Sequence, residues 1–398
     1  MQLCFFEDHK FTNFHPLTLT RPVDDLRIGI LTISKKWIHA LGTSNYCRML
    51  RPNLNEVFDS GSLDPTQNCT WINSRYLPAE ELITQINDLN EGQCLLHDDT
   101  IIAAKVNGSD SDRWLKDGSA DFKNQFVLET ADYPSIDKLW DLFLCNGDQI
   151  CRDLRLIRPE SKSNTHISED ATLENPDEIY IQEGATIEAG CVLNAEDGPI
   201  YIGKNATIMA GSYIRGPVAI CEGSFIKMGA KIYSDTTVGP VCKVGGEVSN
   251  TIFHSYSNKA HDGYIGNSVV GQWCNFGAGT TVSNLKTNYG PIRITDWDSR
   301  SEITTNQQFF GVVMGDHTKT AINCVINSGS IFGVNCNILS RDFPPKFVDS
   351  FSWVGSNVIQ RYKLEKAYEV IEKMMARRNV TFTDSYAQLM KHLFEQSR

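Results

Sequence analysis

The chain has 398 residues, 41% hydrophobic and 21% charged, with a formal net charge of −11. That length holds two or three domains of about 150 residues, and the composition is globular rather than disordered or fibrous. The acidic balance predicts no nucleic-acid and no membrane partner, the longest apolar runs, such as Ile28 to Ile33, fall short of the ~20 residues of a membrane helix, and the missing basic stretch at the N-terminus predicts a cytoplasmic chain without a secretory signal.

Gln2 to Phe6 reads as a strand and Thr32 to Leu41 as a helix. Asn68 to Ile72 and Cys94 to Ala104 read as strands, Glu80 to Leu89 as a helix following Pro78, and Ile136 to Leu144 as an amphipathic helix. Alternating strands and helices predict an α/β domain over residues 1–157. Lys10, Arg21 and Arg27 are its candidate phosphate-gripping cations, and Asp8, Asp98 and Asp99 its candidate Mg²⁺ ligands. Asn146-Gly-Asp148 follows a helical pattern and is set aside as a metal pair. The polar stretch from Arg158 to Asn164, containing Pro159, marks the expected boundary.

From there the chain repeats every six residues. Ile202, Ile208, Ile214, Ile220, Ile226, Ile232, Val238 and Val244 keep one register, preceded by Ile181, Ile187 and Leu193. The same phase returns at Tyr264, Val270, Phe276 and Val282, and again at Met314, Thr320, Ile326, Phe332 and Ile338. A period of six fits neither an amphipathic helix nor an alternating strand. It fits a solenoid over residues 165–342 whose coils turn at small residues and glycines. Of the 12 cysteines, Cys191, Cys242, Cys274, Cys324 and Cys336 fill the small position, and none forms a C-x-x-C pair. All are expected to be free thiols without catalytic work. Residues 356–398 carry two helical stripes, Leu364 to Met375 and Tyr386 to Phe394, with Thr383 as an N-cap and Arg377 and Arg378 as cations for an anionic ligand.

The rhythm falters between Val244 and Tyr264 and breaks between Val282 and Met314; loops ejected from solenoids often carry function. The first gap holds Asn258-Lys-Ala-His-Asp-Gly-Tyr264, followed by Asn275-Phe-Gly-Ala-Gly-Thr280 and Asn284. The repeat resembles the left-handed parallel β-helix of hexapeptide acyltransferases. The gap is similar to the acetyltransferase half of the bacterial bifunctional glucosamine-1-phosphate N-acetyltransferase and UDP-N-acetylglucosamine pyrophosphorylase family. His261 and Tyr264 keep that family's spacing, Glu247 lies fourteen residues before His261, and Asn275, Gly277, Ala278, Gly279 and Asn284 follow. The whole chain resembles a variant group with a short, divergent nucleotidyltransferase-like N-terminal domain, marked by Pro16 to Arg27.

The resemblance implies a homotrimer using acetyl-CoA on a sugar 1-phosphate. His261 would be the general base, since a neutral amine must attack the thioester and an imidazole takes its proton near neutral pH. Glu247 would orient His261 or hold the amine. Tyr264, Asn275 and Asn284 would bind the sugar or polarise the carbonyl. The N–H groups around Gly277, Ala278 and Gly279 would face the thioester oxygen or the coenzyme arm, and His317 would lie on the coenzyme-binding stretch. The family's phosphate-gripping lysine has no counterpart between Val244 and Asn258, which leaves Lys243, Lys259 and Lys286 for its role; Leu285 stands where the family has tyrosine. The N-terminal region lacks the family's glycine-rich phosphate loop, so uridylyl transfer with Mg²⁺ is a second expectation. A sugar-1-phosphate nucleotidyltransferase using UTP or dTTP, with a β-helix that only oligomerises, and a non-catalytic sugar-nucleotide scaffold are the alternatives.

Overall fold

The computed structural model describes residues 1–158, 165–356 and 358–397. Of the expected boundary from Arg158 to Asn164, residues 159–164 lie outside the described residues. The chain forms two compact units.

The first unit comprises Met1–Phe14, Thr20–Leu26 and Leu31–Asp137. Its six strands are β1 (Gln2–Phe6), β2 (Tyr46–Arg48), β3 (Cys69–Asn73), β4 (Gln93–His97), β5 (Thr100–Val106) and β6 (Phe126–Glu129), in the order β2-β1-β3-β5-β4-β6. β1 is buried along its whole length, parallel to both neighbours, as the apolar run Leu-Cys-Phe-Phe requires. The stretch from Cys94 to Ala104 is therefore not one strand but an antiparallel hairpin, reversed where Asp98 takes a φ of 49°. Helix α1 (Ile33–Leu41) stops at Gly42, whose φ of 62° is a left-handed cap that glycine adopts readily. Helices α2 (Glu80–Asp88) and α3 (Gly108–Asp117) complete the unit, and the Asn107 side chain caps α3 by accepting from the Asp110 N–H at 2.8 Å.

The second unit contains Lys138–Arg398 together with His15–Leu19 and Arg27–Ile30. The expected helix from Ile136 to Leu144 shrinks to one turn, α4 (Asp141–Leu144), because the Ile136 N–H bonds the Arg75 carbonyl and holds that stretch extended. α5 (Asn146–Ile157) follows. Residues 138–157 thus group with the repeat, not with the first unit. The Asn146-Gly147 pair is a docking device. The Asn146 amide donates to the Asp235 carbonyl at 2.7 Å and accepts from the Gly29 N–H at 2.7 Å, and a Cβ on Gly147 would stand 1.8 Å from Asp235 Oδ1.

The repeat folds into a parallel β-helix of hexapeptide coils. Three inward columns form its core, one reading Ile187, Ile208, Ile226 and Val244 in direct register. The first faltering of the rhythm is not an ejected loop. Eighteen residues separate the stacked Ile226 and Val244, but only fifteen separate Val244 and Lys259. One coil is shortened: three residues lie between the inward-facing Val248 and Val244, against five between Ile232 and Ile226. The tight corner is Gly245-Gly246, and Gly246 has a φ of 71°. The shift also moves the phase, so Ile265 enters the core and Tyr264 faces outward. The second break is an excursion of the chain, including an antiparallel hairpin between Arg293–Thr295 and Glu302–Thr304. Helices α6 (Leu364–Ala376) and α7 (Asp384–Gln396) close the unit on the expected stripes, with Ala367, Ile371, Met375, Leu389, Met390 and Leu393 buried, and Thr383 accepts from the Tyr386 N–H as its N-cap.

Candidate active site

Period-two alternation turns every second strand residue outward, and the coils stack these residues into ladders. On one face Lys231, Glu247 and Tyr264 stand in direct register. On the next face the ladder reads Lys243, Asn258, Asn275 and Lys319. The corner joining the two faces carries Ala260 to Gly263, so His261 stands three residues from Asn258 and three from Tyr264. Its imidazole is exposed and makes no hydrogen bond among the described residues.

The structure brings several expected residues together. The Asn284 amide donates to Tyr264 Oη at 2.9 Å and to Asn267 Oδ1 at 2.8 Å. Burial raises the Tyr264 phenol above its usual range, against the lowering effect of that Asn284 bond. The corner Gly277 to Thr280 stacks directly on the His261 corner, for the Gly279 N–H reaches the Asp262 carbonyl at 3.1 Å. Gly277 has no room for a Cβ, which would stand 2.3 Å from the Ala321 carbonyl carbon.

Other expectations are corrected. The Gly277 N–H bonds the Thr320 carbonyl at 3.2 Å and the Gly279 N–H is committed to Asp262, so neither faces a thioester. Only the Ala278 N–H of the three has no acceptor among the described residues. Lys259 is 2% exposed, so it does not reach out to substrate. Lys286 donates to the Pro291 carbonyl at 3.1 Å within its own excursion. His317 is fully buried, its Nε2 3.0 Å from Tyr386 Oη and its ring parallel to that of Trp273 at 6.2 Å, so it presents no exposed face to a ligand. Asn275 does not join Tyr264 and Asn284, because it projects from the neighbouring face. Lys231 was missed in the sequence; its signal is position, since it pairs with Glu247 one coil away and offers a cation where none lies between Val244 and Asn258.

Asn275 instead lines a groove of about 350 Å³ with Tyr256, Trp273, Lys319, Arg377 and Arg378. Tyr256 and Trp273 occupy left-handed corner positions of successive coils, with φ of 56° and 60°, and their rings stack 4.2 Å apart at 11°. Burial pushes Lys319 down to about 8, and burial followed by the charges of Arg378, Lys227 and Arg377 lowers Lys243. An acidic chain thus concentrates cations around an aromatic stack, an arrangement suited to a planar, anionic ligand.

The first unit gathers charge at the carboxyl ends of its parallel strands. Glu7 pairs with Arg51 at 2.8 Å, Asp8 with Arg75 at 2.6 Å, and Asp24 with Arg48 at 2.8 Å. Burial raises the Asp24 carboxyl to about 6 despite the charge and hydrogen bond of Arg48. Asp8 is lowered, because its bonds to Arg75 and Asn73 outweigh burial. Lys10 is tied to Asp137 at 3.2 Å, and the buried Arg21 to Asp25 at 3.1 Å. Arg27 lies in the second unit, where its Nε donates to the His254 carbonyl at 3.0 Å, so it is a structural tie and not a nucleotide grip. Asp98 and Asp99 sit exposed on the β4–β5 turn, and no group of three His, Cys, Asp or Glu side chains that could hold a metal ion lies among the described residues. No helix among the described residues is long and apolar enough to cross a membrane.

The second unit is thus a parallel β-helix of hexads that carries an exposed imidazole at one corner. Residues 199–234 match the bacterial transferase hexapeptide family, and residues 3–162 match a sugar nucleotidyl transferase family. The chain therefore joins a sugar nucleotidyl transferase region to hexapeptide transferase repeats. It is 31% identical to the bifunctional protein GlmU of Clostridium acetobutylicum, over 32% of this chain and 29% of that one. It is 32% identical to the bifunctional sugar-1-phosphate nucleotidylyltransferase/acetyltransferase of Sulfurisphaera tokodaii, over 36% of this chain and 37% of that one. The chain thus matches between a quarter and two fifths of the length of these first curated relatives. A solved UDP-N-acetylglucosamine acyltransferase covers 60% of this chain and 90% of its own, at 13% identity and a TM-score of 0.31.

Proposed function

We propose that the β-helix unit transfers an acetyl group from acetyl-CoA to the amine of an amino-sugar 1-phosphate, glucosamine-1-phosphate being the leading acceptor. The observation that carries this reading is the exposed His261 imidazole, with the unengaged Ala278 N–H on the corner stacked against its own. The imidazole takes a proton as the amine nitrogen attacks the thioester carbonyl. A C–N bond forms, the C–S bond breaks, and the thiolate leaves to be protonated. The Ala278 N–H is the donor for the oxyanion. Lys231 faces the sugar phosphate, while Tyr264 and Asn284, held by their mutual bond, face its hydroxyls. The groove of Tyr256, Trp273, Arg377 and Arg378 suits the coenzyme's adenine and phosphates.

His261 and Tyr264 face one side of the corner and Asn275 with the groove the other. In this reading a second copy of the chain brings the two sides together, in a cyclic homotrimer. We place the enzyme in the cytoplasm, where its substrates would be made. CoA thiol release with glucosamine-1-phosphate tests the reading. His261→Ala should lower the rate by about 10²–10⁴-fold; an intact rate in that variant would remove His261 from the mechanism.

A second reading rests on the family match of residues 3–162. The first unit would couple a sugar 1-phosphate to a nucleoside triphosphate at the carboxyl ends of β1, β2 and β3, with release of pyrophosphate. Its arginines are held in ion pairs with Glu7, Asp8 and Asp24. Pyrophosphate release from UTP or dTTP with a panel of sugar 1-phosphates tests it.

A further inference from the structure

The inward column that begins Ile187, Ile208, Ile226, Val244 continues with a lysine. Lys259 lies between Val244 and Phe276, where every coil below offers an aliphatic side chain. It is 2% exposed, and its Nζ donates to the Gly245 carbonyl at 3.0 Å and to the His261 carbonyl at 2.9 Å. These carbonyls belong to two different corners. Gly245 is in the shortened one, and His261 is in the full-length one stacked on it. A Cβ on Gly246 would stand 2.8 Å from this Nζ, 2.9 Å from the His261 carbonyl oxygen and 2.8 Å from the Gly263 carbonyl oxygen. Gly246 is thus the residue type that leaves the lysine room.

We propose that Lys259 is a positioning residue for His261: its buried ammonium clamps the His261 corner to the shortened Gly245-Gly246 corner stacked against it, fixing the backbone that carries the base. An aliphatic residue would fill the column equally well, but it would leave both carbonyls without their donor. The clamp acts only through His261, so it rests on the acetyl-transfer reading, with Lys259 touching neither substrate. A shift of about 1 Å in a catalytic group costs on the order of 10²-fold in rate, which is the scale on which a loosened corner acts.

Lys259→Met keeps the length and apolar bulk of the side chain and removes the donor; Lys259→Gln keeps a donor. Amide hydrogen exchange reads the corner directly, because the Glu247 N–H bonds the Gly263 carbonyl and the Gly279 N–H bonds the Asp262 carbonyl. In Lys259→Met these two amides should exchange roughly tenfold faster or more. The Phe225 and Lys243 amides, which bond the Cys242 and Ser257 carbonyls at the preceding corner, should be unchanged. The kcat for acetyl transfer should fall roughly tenfold or more with both KM values unchanged, and Lys259→Gln should lie between variant and parent. Unchanged exchange at Glu247 and Gly279 overturns the proposal, as does faster exchange in an active enzyme whose kcat is unaltered. If the unaltered protein shows no acetyl transfer, the functional reading fails by itself and the exchange comparison alone decides the clamp. If Lys259→Met does not fold, Lys259→Gln decides by the same two amides.

Discussion

At the scale of single residues, the site is built from unequal commitments. Gly277 and Gly279 spend their N–H groups on holding adjacent coils together, whereas the Ala278 N–H between them has no acceptor among the described residues. Gly277→Ala should destabilise the β-helix by about 1–3 kcal/mol, read by urea unfolding, since its Cβ would meet the Ala321 backbone at 2.3 Å. Lys259 makes a second prediction. Burial, opposed by the weaker attraction of Asp262, pushes its ammonium down to about 8. The unfolded chain keeps that proton until about 10.4, so between these values the unfolded state binds more protons than the folded one. Lys259 therefore makes stability rise with pH across that window and contributes no slope below it. Lys259→Met should remove this slope, on the order of 3 kcal/mol across the window. Denaturation midpoints measured at both ends of the window check it, and an unchanged slope would mean that the lysine is solvated.

At the scale of elements, coil length is the variable that makes the site. A regular coil stacks corner on corner with no recess. The fifteen-residue coil has three residues between its inward Val244 and Val248, whereas the next corner, which carries His261, keeps five between Lys259 and Ile265. Helix α6 works on the adjoining face by bringing Arg377 and Arg378 to the Tyr256–Trp273 stack. Replacing both arginines with alanine should raise the KM for acetyl-CoA by roughly tenfold with kcat preserved, because charge on a remote part of the substrate supports binding rather than the chemical step. Titration calorimetry with CoA should show the same loss without any acceptor present.

At the scale of the whole molecule, the outward ladders put His261 with Tyr264 on one side and Asn275 on the next. A site shared between neighbouring copies makes two inactive variants complementary. His261→Ala and Asn275→Ala, at acetyl-CoA concentrations where each alone is strongly impaired, should recover up to about a quarter of the parental activity when unfolded and refolded together in equal amounts, since about one interface in four then pairs the two intact faces. No recovery from well-folded mixed oligomers would place the whole site within one chain.

The six-residue period was legible without coordinates, because a column of Ile and Val at fixed spacing admits only a stacked coil, and local motifs such as the Thr383 cap follow from one turn of chain. His261, Tyr264 and Asn284 were also legible, since they lie within or just beyond a visible lapse in that period. What the lapse meant was not. A missing corner and an ejected loop interrupt a repeat in the same way, and only the pairing of Val244 with Lys259 distinguishes them. The direction each polar residue faces, the burial of Lys259 and His317, the partners of the Gly277 and Gly279 amides and the grouping of residues 138–157 with the β-helix all depend on neighbours distant in sequence. Spacing along a chain records periodicity and short-range hydrogen bonding; which coil lies above which, and so which donor meets which acceptor, is set by packing alone.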